Sequence, residues 1–390
     1  MRMRIKTNIY RLLKSALALA LCASVLIRFP AARAENAESA DESTYENTYE
    51  NTYECAGVFA FSRDYGMLFS QGDTEAKLYP ASVTKLVTAL VALEYMDPDA
   101  VCTAGEEVLS VPKDASSAYL NPGCKATLET VLYGMLLPSG CDAAYVIAAN
   151  AGKTIDPEAA TAPEAAKAFV EEMNRWSERN GLTGSHWANP DGYEHDDNYT
   201  TMADLMITAR LALENELIAK IAVTPEIKVK LITGEERTWK NSNWLVVPES
   251  RYYTPACVGL KTGQHDQAGG CLIAAYAVPD GDVILVGTFG SGKNSVRFDV
   301  NLAVYADACA EYDRIVKVPQ EALPAGAVRG DVDGSGRVGA ADYAMVKRRI
   351  LYGFELTGTQ LVIADMDGDR RIDGADCALI ISAITPIKTR

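Results

Sequence analysis

A serine stands three residues ahead of a lysine in Ser82-Val83-Thr84-Lys85, at the head of an apolar run from Leu86 to Leu93. On a helix that spacing puts hydroxyl and amine on one face, within reach of each other. An unassisted serine alcohol is a poor nucleophile at neutral pH, but an amine beside it can accept its proton if burial and nearby positive charge lower the amine's own pKa. The start of such a helix adds dipoles that favour developing negative charge. Acyl transfer through a serine ester is the chemistry this pair can do. Spacing alone decides little, because Ser110-Val111-Pro112-Lys113 repeats it. There Pro112 opposes a helix interior, so that pair reads as structural. What singles out the first pair is its company: Ser139-Gly140-Cys141-Asp142-Ala143 at a helix-to-loop transition, and Lys261-Thr262-Gly263 at the end of an apolar strand.

Several elements must position these groups. Val58, Phe59 and Phe61, then Met67 to Phe69 across Asp64-Tyr65-Gly66, read as two strands joined by a tight turn. Pro80 suits a first helical turn before the run from Leu86 to Leu93, whose all-round apolarity predicts a buried helix. Further helices are predicted at Leu128 to Leu137, Ala165 to Asn180, Met202 to Leu213 and Val296 to Tyr312, with strands at Val258 to Leu260, Gly270 to Val278 and Val283 to Phe289. Strands at both ends with helices between them imply an α/β or α+β unit whose terminal segments share a sheet.

The chain has 390 residues, 48% hydrophobic and 23% charged, enough for more than one domain with a sizeable core. A formal net charge of -15 argues against a nucleic-acid partner, so an anionic substrate needs a local cationic patch. Arg2, Arg4, Lys6, Arg11 and Lys14 precede an apolar run from Ala16 to Ile27, and Ala32-Arg33-Ala34 offers a cleavage site before Glu35. The expectation is a signal peptide over 1–34 and export, since the run is shorter than the roughly 20 residues of a membrane helix. Leu21 ahead of Cys22 speaks against a lipoprotein site. The repeated Tyr-Glu-Asn-Thr tract makes 35–54 a solvated spacer. Removing the signal leaves eight of nine cysteines, compatible with disulfides in an exported protein. Cys102 and Cys124, flanking a loop, are the first candidates for a bridge, and buried free thiols are the alternative.

A Pro-, Gly- and Ala-containing linker over 313–329 leads to a second domain, 330–390, rich in Asp and Gly. Asp331, Asp333, Ser335, the carbonyl of Arg337 and Asp342 fall at positions 1, 3, 5, 7 and 12 of a calcium loop, with Gly336 at the turning position. Asp365, Asp367, Asp369, the carbonyl of Arg371, Asp373 and Asp376 repeat the scheme. Each loop runs into an apolar-striped helix, near Tyr343 to Leu351 and Cys377 to Ile384. Arg370 replaces the usual glycine of the second loop, and Ser335 gives the first loop less negative charge.

Taken in order, the three serine and lysine motifs resemble those of low-molecular-mass penicillin-binding proteins that act as D-alanyl-D-alanine carboxypeptidases. The resemblance spans Cys55 to Tyr312 and includes Tyr79-Pro80-Ala81-Ser82, Leu136-Leu137-Pro138-Ser139-Gly140, Phe169 to Asn174, Asn189-Pro190-Asp191-Gly192 and Tyr199-Thr200-Thr201 with Asp204. It implies a β-lactamase-like transpeptidase fold, α/β (α+β) with a mainly antiparallel sheet, and catalysis without a cofactor. It also implies roles: Ser82 attacks the carbonyl between two D-alanines of a peptidoglycan stem peptide and Lys85 takes its proton. Ser139 relays protons, Lys261 and Thr262 hold the terminal carboxylate, and Gly263 lets the backbone approach. The N–H groups of Ser82 and Gln264 form the oxyanion hole. Most relatives carry asparagine where Cys141 stands, and some DD-transpeptidases carry cysteine. Transfer to an amine acceptor and non-catalytic binding of wall peptides are therefore the alternative readings. β-Lactams are expected to acylate Ser82 and stay, because no E-x-x-L-N glutamate is present; Glu171-Glu172-Met173-Asn174 lies in a helix. The tail resembles a dockerin, all-α with two EF-hand-like calcium loops, which implies a cohesin partner on an extracellular, cellulosome-like scaffold. Ala340-Ala341 and Gly374-Ala375 occupy the positions that contact the cohesin.

Overall fold

The computed structural model describes residues 52–279, 281–292, 295–316, 322–352, 356–368 and 371–384. The expected signal peptide, nearly all of the spacer, Asp369 and Arg370 lie outside them. Strand β1 (Gly57–Ser62) turns back into β2 (Gly66–Gln71), with Gly66 at a φ of 82° that a side chain disfavours. A 3₁₀ turn at Ala81–Thr84 runs into α1 (Lys85–Tyr95). The small pair β3 (Val101–Thr103) and β4 (Lys125–Thr127) leads to α2 (Leu128–Leu136), α3 (Cys141–Ile155) and α4 (Ala162–Arg179). Next come α5 (Met202–Glu214), α6 (Glu216–Val223) and the hairpin β5 (Glu226–Lys230) and β6 (Glu236–Lys240). Strands β7 (Cys257–His265), β8 (Gly269–Ala277) and β9 (Val283–Ser291) and helix α7 (Val296–Val316) complete the unit.

The five-stranded sheet has the order β2-β1-β9-β8-β7 and is antiparallel throughout. Its two faces carry separate cores, as the two-residue period of a strand requires. Val58, Ala60, Leu272, Ala274, Ile284 and Val286 face α7 through Phe298, Val304 and Ala308. Phe59, Ile273, Ala275, Leu285 and Phe289 face the helical layer built around α1. Burial on both faces explains why β8 and β9 read as unbroken apolar runs. Helix α1 is buried from Lys85 to Ala92 and sits at the centre of that layer. Among the described residues no helix is long and apolar enough to cross a membrane.

Several expectations need correcting. Lys261-Thr262-Gly263 lies within β7, paired with Ile273, Leu272 and Cys271 of β8, because the strand continues through Gln264 and His265. Cys102 and Cys124 are not bridged: Cys102 pairs with Ala126, while Ala104 donates to the Cys124 carbonyl, so the register offsets the two thiols. All eight described cysteines are free. Folded structure begins before Cys55, since buried Tyr53 stacks on Phe69 and exchanges backbone hydrogen bonds with the Gln71 side chain. The linker is shorter than expected: α7 runs to Val316, and Leu323 and Ala327 pack on the C-terminal core. That core gathers Val332, Val346, Leu361, Ile372 and Ile380 between α8 (Ala340–Tyr352), α9 (Gly358–Ala364) and α10 (Gly374–Ile384).

Candidate active site

Ser82 lies in the 3₁₀ turn that feeds α1, so one helical step brings Lys85 beneath it. The fully buried Lys85 places its Nζ 2.8 Å from Ser82 Oγ, 2.6 Å from the Asp191 carbonyl and 3.4 Å from Cys141 Sγ. These three polar contacts hold the amine aimed at the hydroxyl. The Asn189-Pro190-Asp191-Gly192 loop supplies that carbonyl and is pinned by Thr88 Oγ1, which donates to the Pro190 carbonyl at 2.5 Å. A Cβ at Gly192 would sit 1.9 Å from the Ala81 carbonyl oxygen, so only glycine lets this loop close over the nucleophile turn.

A second serine–lysine couple faces the first. Ser139 occupies the short link between α2 and α3, and Lys261 Nζ donates to its Oγ at 3.0 Å and to the Thr262 carbonyl at 2.9 Å. Lys261 is 1% exposed. Burial first, then the charges of Lys85 and Arg297, pull its pKa well below the ordinary lysine value. Ser242 and Thr262 share a hydroxyl hydrogen bond at 2.8 Å that fixes Thr262 at the cleft. Ala81 (φ 48°) and Ser139 (φ 64°) hold left-handed backbone beside the two serines. Such conformations cost about 1–3 kcal/mol each and persist where surroundings over-determine them. Cys141 is buried at the start of α3, and its thiol is pushed up to about 12 by burial, so it stays protonated. Asp142 beside it accepts from the Ala118 and Leu120 amides at 2.7 and 2.8 Å and from Ser117 Oγ at 2.9 Å. That buried carboxylate ties the loop at one wall of the cleft to the helix carrying Cys141.

The structure thus brings Ser82, Lys85, Ser139, Cys141, Lys261, Thr262, Gly263 and Gln264 to one cleft. Ser110 and Lys113, the decoy pair, make no hydrogen bond to each other among those described; Ser110 Oγ instead donates to the Glu107 carbonyl. Two contributors were given no role by the sequence. Arg297, on the first turn of α7, donates to the Gly263 carbonyl and to Gln264 Oε1, both at 3.1 Å, and brings a guanidinium to the site. Asp191 acts through a backbone carbonyl, which no side-chain pattern reveals.

In the C-terminal unit, carboxylate oxygens of Asp331, Asp333 and Asp342 lie within 4.8 Å of one another, as do those of Asp365, Asp367 and Asp376. Gly339 and Asp373, at the ninth position of each loop, donate to Asp342 and Asp376 in the same way, at 2.7 and 2.8 Å. Ser335 Oγ donates to Asp331 Oδ1 at 3.3 Å and to the Arg337 carbonyl at 3.1 Å. Arg371 turns its guanidinium to Tyr65 Oη of the β1–β2 turn at 3.2 Å. Burial, with Asp367 and Asp373 nearby, pushes Asp376 up to about 6. An all-oxygen donor set with crowded carboxylates fits a hard cation such as calcium. Ala340, Ala341, Gly374 and Ala375 are exposed at the starts of α8 and α10.

This sheet with helices on both faces, and a half-buried serine on a buried lysine backed by a second serine–lysine pair, defines the penicillin-recognising class of serine enzymes. Residues 46–290 match the family model described as D-alanyl-D-alanine carboxypeptidase, and the chain belongs to that family. Residues 329–385 match the dockerin type I domain. The chain is 31% identical over 241 residues to the D-alanyl-D-alanine carboxypeptidase of Streptomyces sp. strain K15, covering 60% of this chain and 79% of the relative. It is 28% identical to DacF of Bacillus subtilis over 55% of its own length and 51% of that protein, so it spans about half of that relative. The crystal structure of the Streptomyces K15 DD-transpeptidase superposes with a TM-score of 0.60 at 29% identity, covering 67% of this chain and 99% of that one. Penicillin-binding protein D2 from Listeria monocytogenes, solved with ampicillin bound, shares the fold at a TM-score of 0.53 and 21% identity over 66% and 98% of the chains.

Proposed function

We propose that this protein is a secreted serine-type D-Ala-D-Ala carboxypeptidase that trims peptidoglycan stem peptides through an acyl-serine intermediate. The observation that carries the reading is the 2.8 Å contact between Ser82 Oγ and the buried Lys85 amine. Ser82 Oγ attacks the penultimate D-alanine carbonyl while Lys85 takes the hydroxyl proton. The oxyanion lies between the N–H groups of Ser82 and Gln264, each such donor being worth about 2.7–4 kcal/mol of barrier. Collapse breaks the peptide bond, the departing amine receives a proton through Ser139, and water then cleaves the ester to regenerate Ser82. Lys261 and Thr262, in the field of Arg297, hold the substrate's terminal carboxylate, as charge-assisted hydrogen bonds do best.

Cys141 supports a second reading. A protonated, buried thiol is a weak donor and acceptor, and the structurally similar Streptomyces K15 protein is a DD-transpeptidase. Transfer to an amine instead of water uses the same acyl-enzyme. For the tail, the reading is a calcium-loaded dockerin that attaches the enzyme to a cohesin of an extracellular scaffold. Asp331, Asp333, Ser335, Asp342 and the Arg337 carbonyl would hold one ion, and Asp365, Asp367, Asp376 and the Arg371 carbonyl the other, with Asp369 as a further expected ligand. Bound calcium would neutralise the clustered carboxylates and order the loops.

A fluorescent penicillin tests the enzyme reading. Wild type should carry persistent label and Ser82→Ala none. D-Alanine released from a D-Ala-D-Ala peptide at the same rate by both proteins would sink the mechanism. Peptide binding with neither label nor turnover would make it a non-catalytic wall-peptide-binding protein.

A further inference from the structure

Asp191 gives Lys85 its backbone carbonyl, and its side chain is fully buried in the same place. Its Oδ1 accepts from the Tyr193 N–H at 3.1 Å, while Oδ2 is buried and meets no hydrogen-bond donor among the described residues. The loop itself does not call for a charge. Two residues earlier, Asn189 accepts from the Gly192 N–H at 2.8 Å and donates to the Tyr193 carbonyl at 2.9 Å, so a neutral amide already makes that kind of turn contact. An ionised carboxylate taken out of water is strongly unfavourable unless an opposite charge offsets it. The basic group at hand is Lys85, equally buried, with its Nζ 2.6 Å from the Asp191 carbonyl. Cys141 feels both: after burial, which comes first, Lys85 loosens the thiol's proton and Asp191 holds it. Burial and then Asp191 likewise keep the Tyr145 phenol protonated. The other acids nearby face elsewhere. Asp142 directs its carboxylate at the Ala118 and Leu120 amides and at Ser117, and Asp114, Glu194 and Asp266 line the mouth of the cleft beyond Ser82. Lys261 repels positive charge on Lys85, and Arg297 repels it on Lys261.

We propose that the Asp191 side chain is a positioning residue for acylation, its carboxylate serving as the counter-charge for the ammonium that Lys85 becomes on taking the Ser82 proton. The inference rests on the acyl-serine reading. As the bond from Ser82 Oγ to the substrate carbonyl carbon forms, the hydroxyl proton passes to Lys85 Nζ and the carbonyl oxygen takes the negative charge. A cation then appears in a buried site that Lys261 already faces. A carboxylate fixed there beforehand stabilises it without reorganisation. The carbonyl of Asp191 aims the amine, and the side chain of the same residue sets how readily that amine accepts a proton. Asp191 thus acts through Lys85 alone.

The test is the time constant of fluorescent-penicillin labelling of the full chain across pH, a readout that counts only folded molecules. Asp191→Asn removes the charge and keeps an oxygen for the Tyr193 N–H. Asp191→Ser does the same without placing a buried amide beside Lys85. Both should label about tenfold more slowly than wild type at the plateau. A nearby opposite charge favours the ammonium, so its loss should move the acid limb, where Lys85 gives up its proton, to lower pH by about one unit. A role confined to holding the loop would slow labelling and leave that limb in place. Labelling as fast as wild type, or slower labelling with the limb unmoved, overturns this inference and leaves the carboxypeptidase reading standing. Neither label nor turnover in wild type removes that reading, and this inference with it.

Discussion

Gly263→Ala is the sharpest probe of how closely strand and nucleophile must approach. A Cβ at Gly263 would lie 2.8 Å from the Pro80 carbonyl oxygen, 3.1 Å from Ala81 Cβ and 3.2 Å from Ser82 N. The first contact is roughly 0.5 Å or more inside ordinary van der Waals separation, and two of the three neighbours are backbone atoms. Strand β7 is held along its length by β8, with Gly263 itself paired to Cys271, so it has little room to yield. Relief must come from the Pro80–Ser82 segment, already left-handed at Ala81. A misplacement of about 1 Å can cost 10²-fold in rate, so half that shift should slow acylation of Ser82 about tenfold, or about 1.4 kcal/mol of barrier. Overpacking should also remove about 1–3 kcal/mol of stability. The assay is the second-order rate of labelling by fluorescent penicillin, read beside a thermal melt. A variant that labels as fast as wild type and melts at the same temperature would refute the reasoning, because it would show slack between strand and turn.

Two further outcomes are expected. Lys261 must keep its proton to hold a carboxylate, yet its pKa is pulled down, so the basic limb of kcat/KM should fall below pH 10.5 and move upward in Arg297→Gln, which removes one of the charges responsible. The same downward shift means that the folded chain binds fewer protons there than the unfolded one, so this group's contribution to stability rises with pH through that window; a limb unmoved by the substitution would separate Arg297 from Lys261. Calcium at about a hundredfold over its Kd should stabilise the C-terminal unit by about 2.7 kcal/mol per site, seen as slowed amide exchange in 331–342 and 365–376, with penicillin labelling of Ser82 unchanged; equal exchange rates with and without chelator would remove the ion-binding reading.

Residue types carried much of this site into the sequence, and the reasons for the gaps are physical. The Ser82 and Lys85 pair was legible because helix geometry converts a three-residue spacing directly into a contact. Lys261 was legible as a motif, but its place in the strand was not, since Gln264 and His265 break the apolar pattern while their backbone still pairs. Helix α3 is hard to read from sequence because its buried face is built largely from alanine at Ala143, Ala144, Ala148 and Ala151, which mark neither period strongly. The β5–β6 hairpin did carry a strand signal, since Glu226-Ile227-Lys228-Val229-Lys230 alternates charged and apolar residues, but its partner β6 shows only Trp239 as an apolar inward residue. Arg297 acts from a helix closing the fold, 33 residues beyond the Gln264 it touches. Only the sheet brings them together.

The pairing of β1 with β9 sets the order in which this domain can become functional. Val58 lies opposite Thr288, near the far end of the chain segment that makes the enzyme. Closing a loop of that length carries a large entropic cost before any contact rewards it, and topologies dominated by such distant pairings fold slowly. Until β9 is available, β1 and β2 are a two-stranded ribbon with an open edge, the kind of surface that pairs with other chains. Ser82 and Lys85 follow early in the sequence, but the strand that brings Lys261 to them docks only through β8 and β9. A nascent or clipped chain ending before Val283 therefore holds the nucleophile without the sheet that assembles its cleft, and penicillin labelling doubles as a report that the chain extends through β9.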